Sequence, residues 1–178
     1  LDDAQVDISN AAITVTNVVS KANAVTLNGF TTGTVTLTQV FDNFTNISTI
    51  QGTSGINIST ANITQVGGSA ASLANTNTLN GFTTGKVTLT SVQDTYDNLV
   101  NIDAIHSSEV SMVVADVAVT DTVNNAKVDT LNTLTTGLVT VQDLQDTFAE
   151  IKALDDINDS EVDISAAKIT ITDSTSIA

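Results

Sequence analysis

One octapeptide, TLNGFTTG, sets the organisation of this chain of 178 residues. It occupies residues 26–33, returns unchanged at 78–85, and returns as TLNTLTTG at 130–137, so the period is 52 residues. A fixed period of this size is typical of stacked supersecondary units, because one such unit cannot bury its apolar face alone. The period predicts a partial repeat at 1–25, followed by repeats at 26–77, 78–129 and a truncated 130–178.

A second motif, TVTLTQVFDNFTNISTI at 34–50, predicts a strand followed by a helix. Its first residues alternate between threonine and an apolar side chain, as in a half-buried strand. Four apolar residues then follow at spacings of four, three and three, which is typical of one helix face. These residues are Val40, Phe44, Ile47 and Ile50, repeated as Val92, Tyr96, Leu99 and Ile102 and as Leu144, Phe148, Ile151 and Leu154. We therefore predict a helix of about three turns in each repeat, with Tyr96 and Phe148 as its largest core residues.

The octapeptide itself is predicted to close a second helix. The strands ITVTN at 13–17 and VAVTD at 117–121 end in Asn17 and Asp121, which are good N-cap residues for a helix that follows. Gly33, with its counterparts in the other repeats (Gly85 and Gly137), would end that helix with a positive φ angle.

Each repeat therefore reads strand, helix, strand, helix. We predict an α/β fold in which βα units stack as a repeat solenoid with a parallel sheet. An all-β solenoid, with broad turns in place of the helices, is the alternative.

The charge of the chain limits its partners. Twenty Asp and Glu stand against five Lys and Arg, for a net charge of −15. Nucleic acids and anionic membranes both attract basic surfaces, so we predict neither partner. No apolar stretch reaches the length of a spanning helix, so we predict no membrane insertion. The absence of cysteine removes disulfides and zinc–thiolate sites.

We predict no enzyme and no cofactor from the residue pattern. His106 is the single histidine, and Asp103 and Ser107 beside it match a nucleophile–base–acid triad by residue type. The equivalent positions of the other repeats, Ser54 and Asn158, do not keep this pattern. A linker between elements is therefore the preferred interpretation.

The loop DDINDSEVD at 155–163 is the candidate metal site, because hard cations such as Ca²⁺ bind several oxygen ligands from one short loop. The candidate ligands are Asp155, Asp156, Asn158, Asp159 and Glu161. The loop lacks the glycine of a helix–loop–helix calcium site, so a solvated acidic loop is the alternative. Asn-x-Ser/Thr sequences also mark candidate glycosylation sites at Asn43, Asn46, Asn57, Asn62 and Asn158.

The unit TLNTLTTGLVTVQDLQDTFAEI at 130–151 resembles the Thr/Asp-rich, cysteine-free tandem repeats of giant secreted cell-surface proteins of cyanobacteria and proteobacteria. That group includes surface adhesins and a protein needed for swimming. The resemblance implies an extracellular location and a structural or adhesive role. It carries over no active-site residue, and the glycine-rich calcium nonapeptide that often accompanies such repeats is absent.

Three functions follow as hypotheses. The first is a structural module of a surface protein or fibre that stacks end to end on copies of itself or on adjacent repeats, because VDISNAAITVT at 6–16 matches VDISAAKITIT at 162–172. The second is an adhesin module that binds glycan or mineral surfaces, assisted by Ca²⁺. The third is ice binding by arrays of Thr-x-Thr, at Thr14 and Thr16, Thr36 and Thr38, Thr88 and Thr90, and Thr170 and Thr172.

Overall fold

The computed structural model describes residues 6–106, 108–155 and 161–173. Within these ranges the protein is α/β, with two parallel sheets and six helices. The strands are β1 Ile13–Val19, β2 Val35–Asp42, β3 Ile56–Asn57, β4 Asn62–Gln65, β5 Val87–Leu89, β6 Ser91–Asp94, β7 Val110–Ser111, β8 Asp116–Val123, β9 Val139–Asp146, β10 Val162–Asp163 and β11 Lys168–Ile171. The helices are α1 Lys21–Asn28, α2 Phe44–Gly52, α3 Leu73–Phe82, α4 Tyr96–His106, α5 Asn125–Leu134 and α6 Phe148–Asp155. These helices confirm the α/β prediction over the all-β alternative.

The chain forms two compact units. The first contains the described residues up to Ser69 together with Asn75–Thr88, and the second contains Ala70–Ala74 and the described residues from Leu89 onward. The sheet of the first unit runs β1-β2-β4-β5, with β3 also paired to β2. The sheet of the second unit runs β6-β8-β9-β10, with β11 also paired to β9. Neighbouring parallel strands need a long connection between them, and the helices between successive strands supply it.

Two of the long strands pair on one side with two short strands separated by a tight turn. β2 pairs first with β3 and then with β4, and β9 pairs first with β10 and then with β11. In each turn the amide of an alanine donates to the carbonyl three residues earlier, as in Ala61 to Ile58 at 2.9 Å. We call this the alanine turn; its four copies are Ile8–Ala11, Ile58–Ala61, Met112–Ala115 and Ile164–Ala167.

Aliphatic side chains from strands and helices fill the core. Val35 and Leu37 of β2 are fully buried, whereas Thr36 and Thr38 between them are half-buried, as the predicted alternation requires. Ile47 and Ile50 of α2 are also fully buried. Burial of one such side chain contributes about 1.5–3 kcal/mol.

The predicted apolar stripe begins on a strand rather than on a helix. Val40 lies in β2, and α2 starts only at Phe44. Each aromatic residue of the stripe therefore occupies the first position of its helix, at the rim of the core. Phe148 is 51% exposed and Tyr96 is half-buried, so the prediction that they are the largest core residues is wrong.

The helix that follows β1 starts later than the sequence predicts. Val15 pairs with Leu37, but Val18 pairs with Gln39, so β1 holds one extra residue in a bulge and continues to Val19. Asn17 is therefore a strand residue, and its predicted role as an N-cap is wrong; Ser20 occupies that position. The same bulge occurs in β8, and α5 begins after Asn124, whose side chain accepts from the Lys127 amide at 3.1 Å.

Candidate functional site

The most regular arrangement of polar groups in the described chain joins each of the first three alanine turns to the Thr-Thr-Gly that follows it. In the first copy the Thr31 hydroxyl donates to the Ala11 carbonyl at 2.6 Å and accepts from the Gly33 amide at 2.9 Å. The amide of Thr32, between these two residues, donates to the Ser9 carbonyl at 2.7 Å. We call these three bonds the Thr-Thr-Gly clamp.

The clamp recurs with the same atoms in the second and third copies. Thr83 donates to Ala61 at 2.6 Å, and Thr135 donates to Ala115 at 2.5 Å. The remaining bonds are Gly85 N to Thr83 Oγ1 at 2.9 Å, Gly137 N to Thr135 Oγ1 at 2.9 Å, Thr84 N to Ser59 O at 2.8 Å and Thr136 N to Val113 O at 2.7 Å. Because the first threonine of each clamp is buried, its hydroxyl satisfies a donor and an acceptor that would otherwise lack partners.

The glycine of the clamp is required by a close approach of two backbones. A Cβ atom on Gly33 would overlap the carbonyl of Ala11, and the same overlap would occur at Gly85 and at Gly137. The predicted positive φ angle at these three glycines is wrong, since the described glycines with positive φ are Gly55, Gly67 and Gly68. Glycine is needed here because it has no side chain, and not because of its backbone freedom.

A second repeated arrangement places an aspartate at the start of two helices at once. Asp42 is the last residue of β2, and its Oδ2 accepts from the Lys21 amide at 2.9 Å, the first amide of α1. Its Oδ1 accepts from the Asn43 amide at 2.9 Å and from Asn46 Nδ2 at 2.7 Å, at the start of α2. A carboxylate at these helix N-termini satisfies free amides and complements the helix dipole.

Four further aspartates also accept from the first amide of a helix. Asp94 accepts from the Leu73 amide at 2.9 Å, and Asp146 accepts from the Asn125 amide at 3.0 Å. Asp121 accepts from the Tyr96 amide at 2.7 Å, and Asp173 accepts from the Phe148 amide at 2.9 Å. In every case the aspartate follows, along the chain, the helix whose first amide it caps; four of the five lie in strands, and Asp173 lies two residues beyond the end of β11. The prediction that Asp121 caps the helix following it is therefore wrong; it caps the one before.

These contacts shift the acidity of two of the carboxyl groups. Partial burial acts to raise the pKa of Asp42, but the hydrogen bonds from Lys21, Asn46 and Asn43 together lower it below its ordinary value. Burial opposes the hydrogen bonds from Asn98, Leu73 and Thr95 at Asp94, and the pKa of Asp94 is lowered in the same way. Both groups are therefore carboxylates at neutral pH, as their role as acceptors requires.

The predicted metal ligands are not brought together in the described part of the chain. Asp155 is exposed at the end of α6, and Glu161 accepts from Asn132 at a long 3.5 Å. Asp156, Asn158 and Asp159 lie outside the described residues. Among the residues described, no group of three or more His, Cys, Asp or Glu could hold a metal ion. The Ca²⁺ site stays a prediction.

The predicted glycosylation sites differ in accessibility. Asn43 caps α2 through its Oδ1, Asn46 donates its Nδ2 to Asp42, and Asn57 accepts from the Ser59 amide at 3.0 Å. These three are half-buried, whereas Asn62 is exposed and uses its oxygen to accept from the Lys86 amide at 3.0 Å. Asn62 is the most accessible of these four. Asn158 lies outside the described residues.

The catalytic-triad hypothesis and the ice-binding hypothesis gain no site in the described residues. Asp103 is half-buried on α4, but the His106 side chain and Ser107 lie outside the described part of the structure. The predicted threonine array is short, because Thr14 aligns with Thr36 but Thr36 then aligns with Asn57. In the second unit Thr140 has Ala118 and Asp163 as its neighbours in the same row.

Sequence reasoning missed both the clamp and the shared aspartates. The signal for the clamp was present, since Thr-Thr-Gly stays identical in three copies while the residue before it is Phe30, Phe82 or Leu134. No helix within the described ranges is long and apolar enough to span a membrane. Comparisons with protein families, curated proteins and solved structures find no match to this chain.

Proposed function

We propose that this chain is a structural module of a large extracellular bacterial surface protein or fibre, in which βα units stack as a solenoid. The observation that carries the proposal is the Thr-Thr-Gly clamp, which occurs three times with the same donors and acceptors. Two of its three acceptors are main-chain carbonyls, so the contact depends little on which side chains surround it. A chain can therefore be lengthened by adding units without designing a new interface.

The charge of the chain supports the same role. Twenty Asp and Glu against five Lys and Arg give the chain a net charge of −15. Like-charged modules repel one another sideways, which favours an extended, separated state over lateral aggregation. The partners in this proposal are adjacent repeats or further copies of the chain. The extracellular location rests on the resemblance to secreted repeat proteins.

A deletion of one whole period tests the modular architecture. Removal of residues 78–129 joins Asn77 to Thr130 and leaves Thr135 to dock on the alanine turn Ile58–Ala61. We expect this shortened chain to fold with near-native helix content and to unfold cooperatively in urea, as measured by circular dichroism.

Removal of half a period is the matched control. Without residues 78–103 the alanine turns Ile58–Ala61 and Met112–Ala115 follow each other with no Thr-Thr-Gly between them. This variant should lose cooperative unfolding and aggregate. Equal behaviour of the two deletions would contradict the solenoid.

Antibody labelling of intact cells tests the location. We expect the antibody to bind cells of the source organism without permeabilisation. Labelling that appears only after lysis would overturn the extracellular part of the proposal and leave the stacking unaffected.

A further inference from the structure

The last described strands of the second compact unit form a sheet edge that has covered counterparts elsewhere in the chain. We define the end face as β10, the alanine turn Ile164–Ala167 and β11. β11 pairs with β9 on one side. No described strand lies on its other side.

Equivalent positions show that this face is buried wherever a Thr-Thr-Gly segment follows. Ile169 occupies the position of Ile63 and Val117 in the strand register, as each pairs with the equivalent residue of the strand before it. Ile63 is 0% and Val117 is 1% exposed, whereas Ile169 is 46% exposed. Ile171 is likewise exposed, although Val119 at the same position is fully buried. The end face therefore leaves apolar surface uncovered that other copies remove from water.

The polar groups of the end face also match those of the covered copies. The Ser165 and Ala167 carbonyls stand where Ser9 and Ala11 accept the first clamp, and no donor among the described residues reaches them. The amide of Ile169 lies at a position equivalent to three amides that donate across the sheet. Each of the three donates to the carbonyl of the residue just before the strand that follows the next helix. Those bonds are Ile13 to Thr34 at 2.9 Å, Ile63 to Lys86 at 2.8 Å and Val117 to Leu138 at 2.8 Å.

We propose that the end face binds a further helix–Thr-Thr-Gly–strand segment with the chemistry of residues 21–42. Its first clamp threonine would donate to the Ala167 carbonyl, its second threonine amide would donate to the Ser165 carbonyl, and its glycine would admit the close backbone approach. The inference rests on the proposed function. It adds which edge of the sheet is extended and which kind of segment binds there.

The opposite edge of a second copy fits this face poorly. That edge is β1 with the alanine turn Ile8–Ala11, whose Ser9 and Ala11 carbonyls already accept from Thr32 and Thr31 of the same chain, and it carries no Thr-Thr-Gly. Such an edge supplies neither the threonine hydroxyl nor the threonine amide that the Ala167 and Ser165 carbonyls would accept from, so both carbonyls would stay without a clamp donor. Assembly through the end face therefore selects a Thr-Thr-Gly segment over the first strand of another copy.

An extended chain tests the proposal. Residues 23–52 are appended after Ala178, so that the added segment continues the register three periods on. The probe is the amide hydrogen exchange of Ile169, followed by NMR. We expect exchange at Ile169 to slow by at least about tenfold, because its N–H gains a hydrogen-bond acceptor on the added strand. The Thr172 amide, which already donates to Asp146 at 2.9 Å, should change less.

A matched control carries Gly33→Val in the appended copy alone, which places a side chain against the Ala167 carbonyl. Ile169 should then exchange as fast as in the unextended chain, while the Val117 amide stays protected and shows that the original chain remains folded. Fast exchange at Ile169 in both extended chains would overturn the proposal. So would concentration-dependent protection of Ile169 in the unextended chain with growth in light scattering, since β1 of a second copy would then be the occupant. Antibody labelling of cells tests the proposed function independently. Failure of the end-face proposal can therefore be told apart from failure of the proposed function.

Discussion

At the scale of single residues, Thr83 shows how much one hydroxyl group can do in this chain. It is buried, it donates to Ala61, and it accepts from Gly85 two positions later. The threonine beside it, Thr84, is exposed and its hydroxyl makes a longer contact of 3.2 Å to Ser59. Adjacent threonines in one motif therefore contribute unequally.

Replacement of Thr83 by valine keeps the shape of the side chain and removes the hydroxyl. Two buried backbone groups lose their partner, so the free energy of unfolding should fall by about 1–3 kcal/mol. Thr84→Val is the control and should stay within about 0.5 kcal/mol of the original protein. Urea unfolding followed by circular dichroism measures both, and equal losses would contradict the assignment of the clamp to the first threonine.

Two glycines four residues apart should respond to alanine with opposite signs. At Gly85 the new methyl group meets the Ala61 carbonyl, so Gly85→Ala should destabilise by about 1–3 kcal/mol through overpacking. Gly81 lies in α3 with no neighbouring atom within 4 Å of a new Cβ, so Gly81→Ala should stabilise by about 0.5–1 kcal/mol. Thermal unfolding of the two variants is the measurement. A stabilised Gly85→Ala would show that the backbones are not in close contact.

At the scale of helices and strands, the beginning of five of the six described helices depends on an aspartate that comes after the helix in the chain. α1 cannot complete its first turn in the native way until Asp42 of β2 is in place, and α6 has the same relation to Asp173. The carboxylate also complements the positive end of the helix dipole. Helix formation and strand pairing are therefore coupled within each step of the chain.

The coupling predicts loss of stability in acid. The pKa of Asp42 and that of Asp94 lie below the ordinary value of 3.8, so the folded state holds these protons more weakly than the unfolded state. Their stabilisation is complete above the unfolded pKa, near pH 4, and is lost as the pH falls through the lower folded value. Urea unfolding at a series of pH values should show a decline below about pH 4. Asp42→Asn combined with Asp94→Asn should flatten that decline.

A control for the pair is Asp129→Asn on the exposed face of α5. It removes an exposed negative charge without removing a helix cap and should change the free energy of unfolding at neutral pH by no more than about 0.5 kcal/mol. Each capping variant should lose about 0.5–2 kcal/mol. A profile as steep in the capping variants as in the original chain would mean that other carboxyl groups cause the acid sensitivity.

Periodicity was enough to predict the strands and helices, but not their junctions. The alternation at Val35 and Leu37 and the spacing of Ile47 and Ile50 depend on local geometry that the sequence carries directly. The bulge in β1 is different, because it depends on the pairing with β2 and places the N-cap of α1 at Ser20 instead of Asn17. The clamp was also beyond local reasoning, since Gly33 looks like a helix terminator until the neighbouring backbone is known.

At the scale of the whole molecule, charge opposes compaction while aliphatic burial favours it. Twenty acidic residues against five basic ones leave few ion pairs to offset the repulsion. One described pair joins Lys168 to Asp143 at 3.3 Å, with the lysine mostly exposed. An exposed pair of this kind contributes at most about 1 kcal/mol. Screening of the repulsion is therefore the larger effect of salt on this chain.

Added salt should raise the thermal unfolding temperature. An increase from about 0.01 M to about 1 M NaCl shortens the Debye length from about 30 Å to about 3 Å and removes most long-range repulsion. A variant with lysine at the exposed positions of Asp97 and Asp129 carries less net charge and should respond less. Differential scanning calorimetry gives the shift. A fall in unfolding temperature with salt would indicate that specific ion pairs outweigh the net repulsion.

The direction of the clamp has a consequence for biosynthesis. Each alanine turn precedes its Thr-Thr-Gly by 20 or 22 residues, so the acceptor leaves the ribosome before the donor in every copy. A nascent chain can therefore complete one step at a time on a template already formed, with little unfolded polypeptide waiting for a distant partner. Parallel sheets ordinarily fold slowly because their contacts are remote in sequence. In each of the three described clamps the donor follows its acceptor by only 20 or 22 residues, so the delay is short.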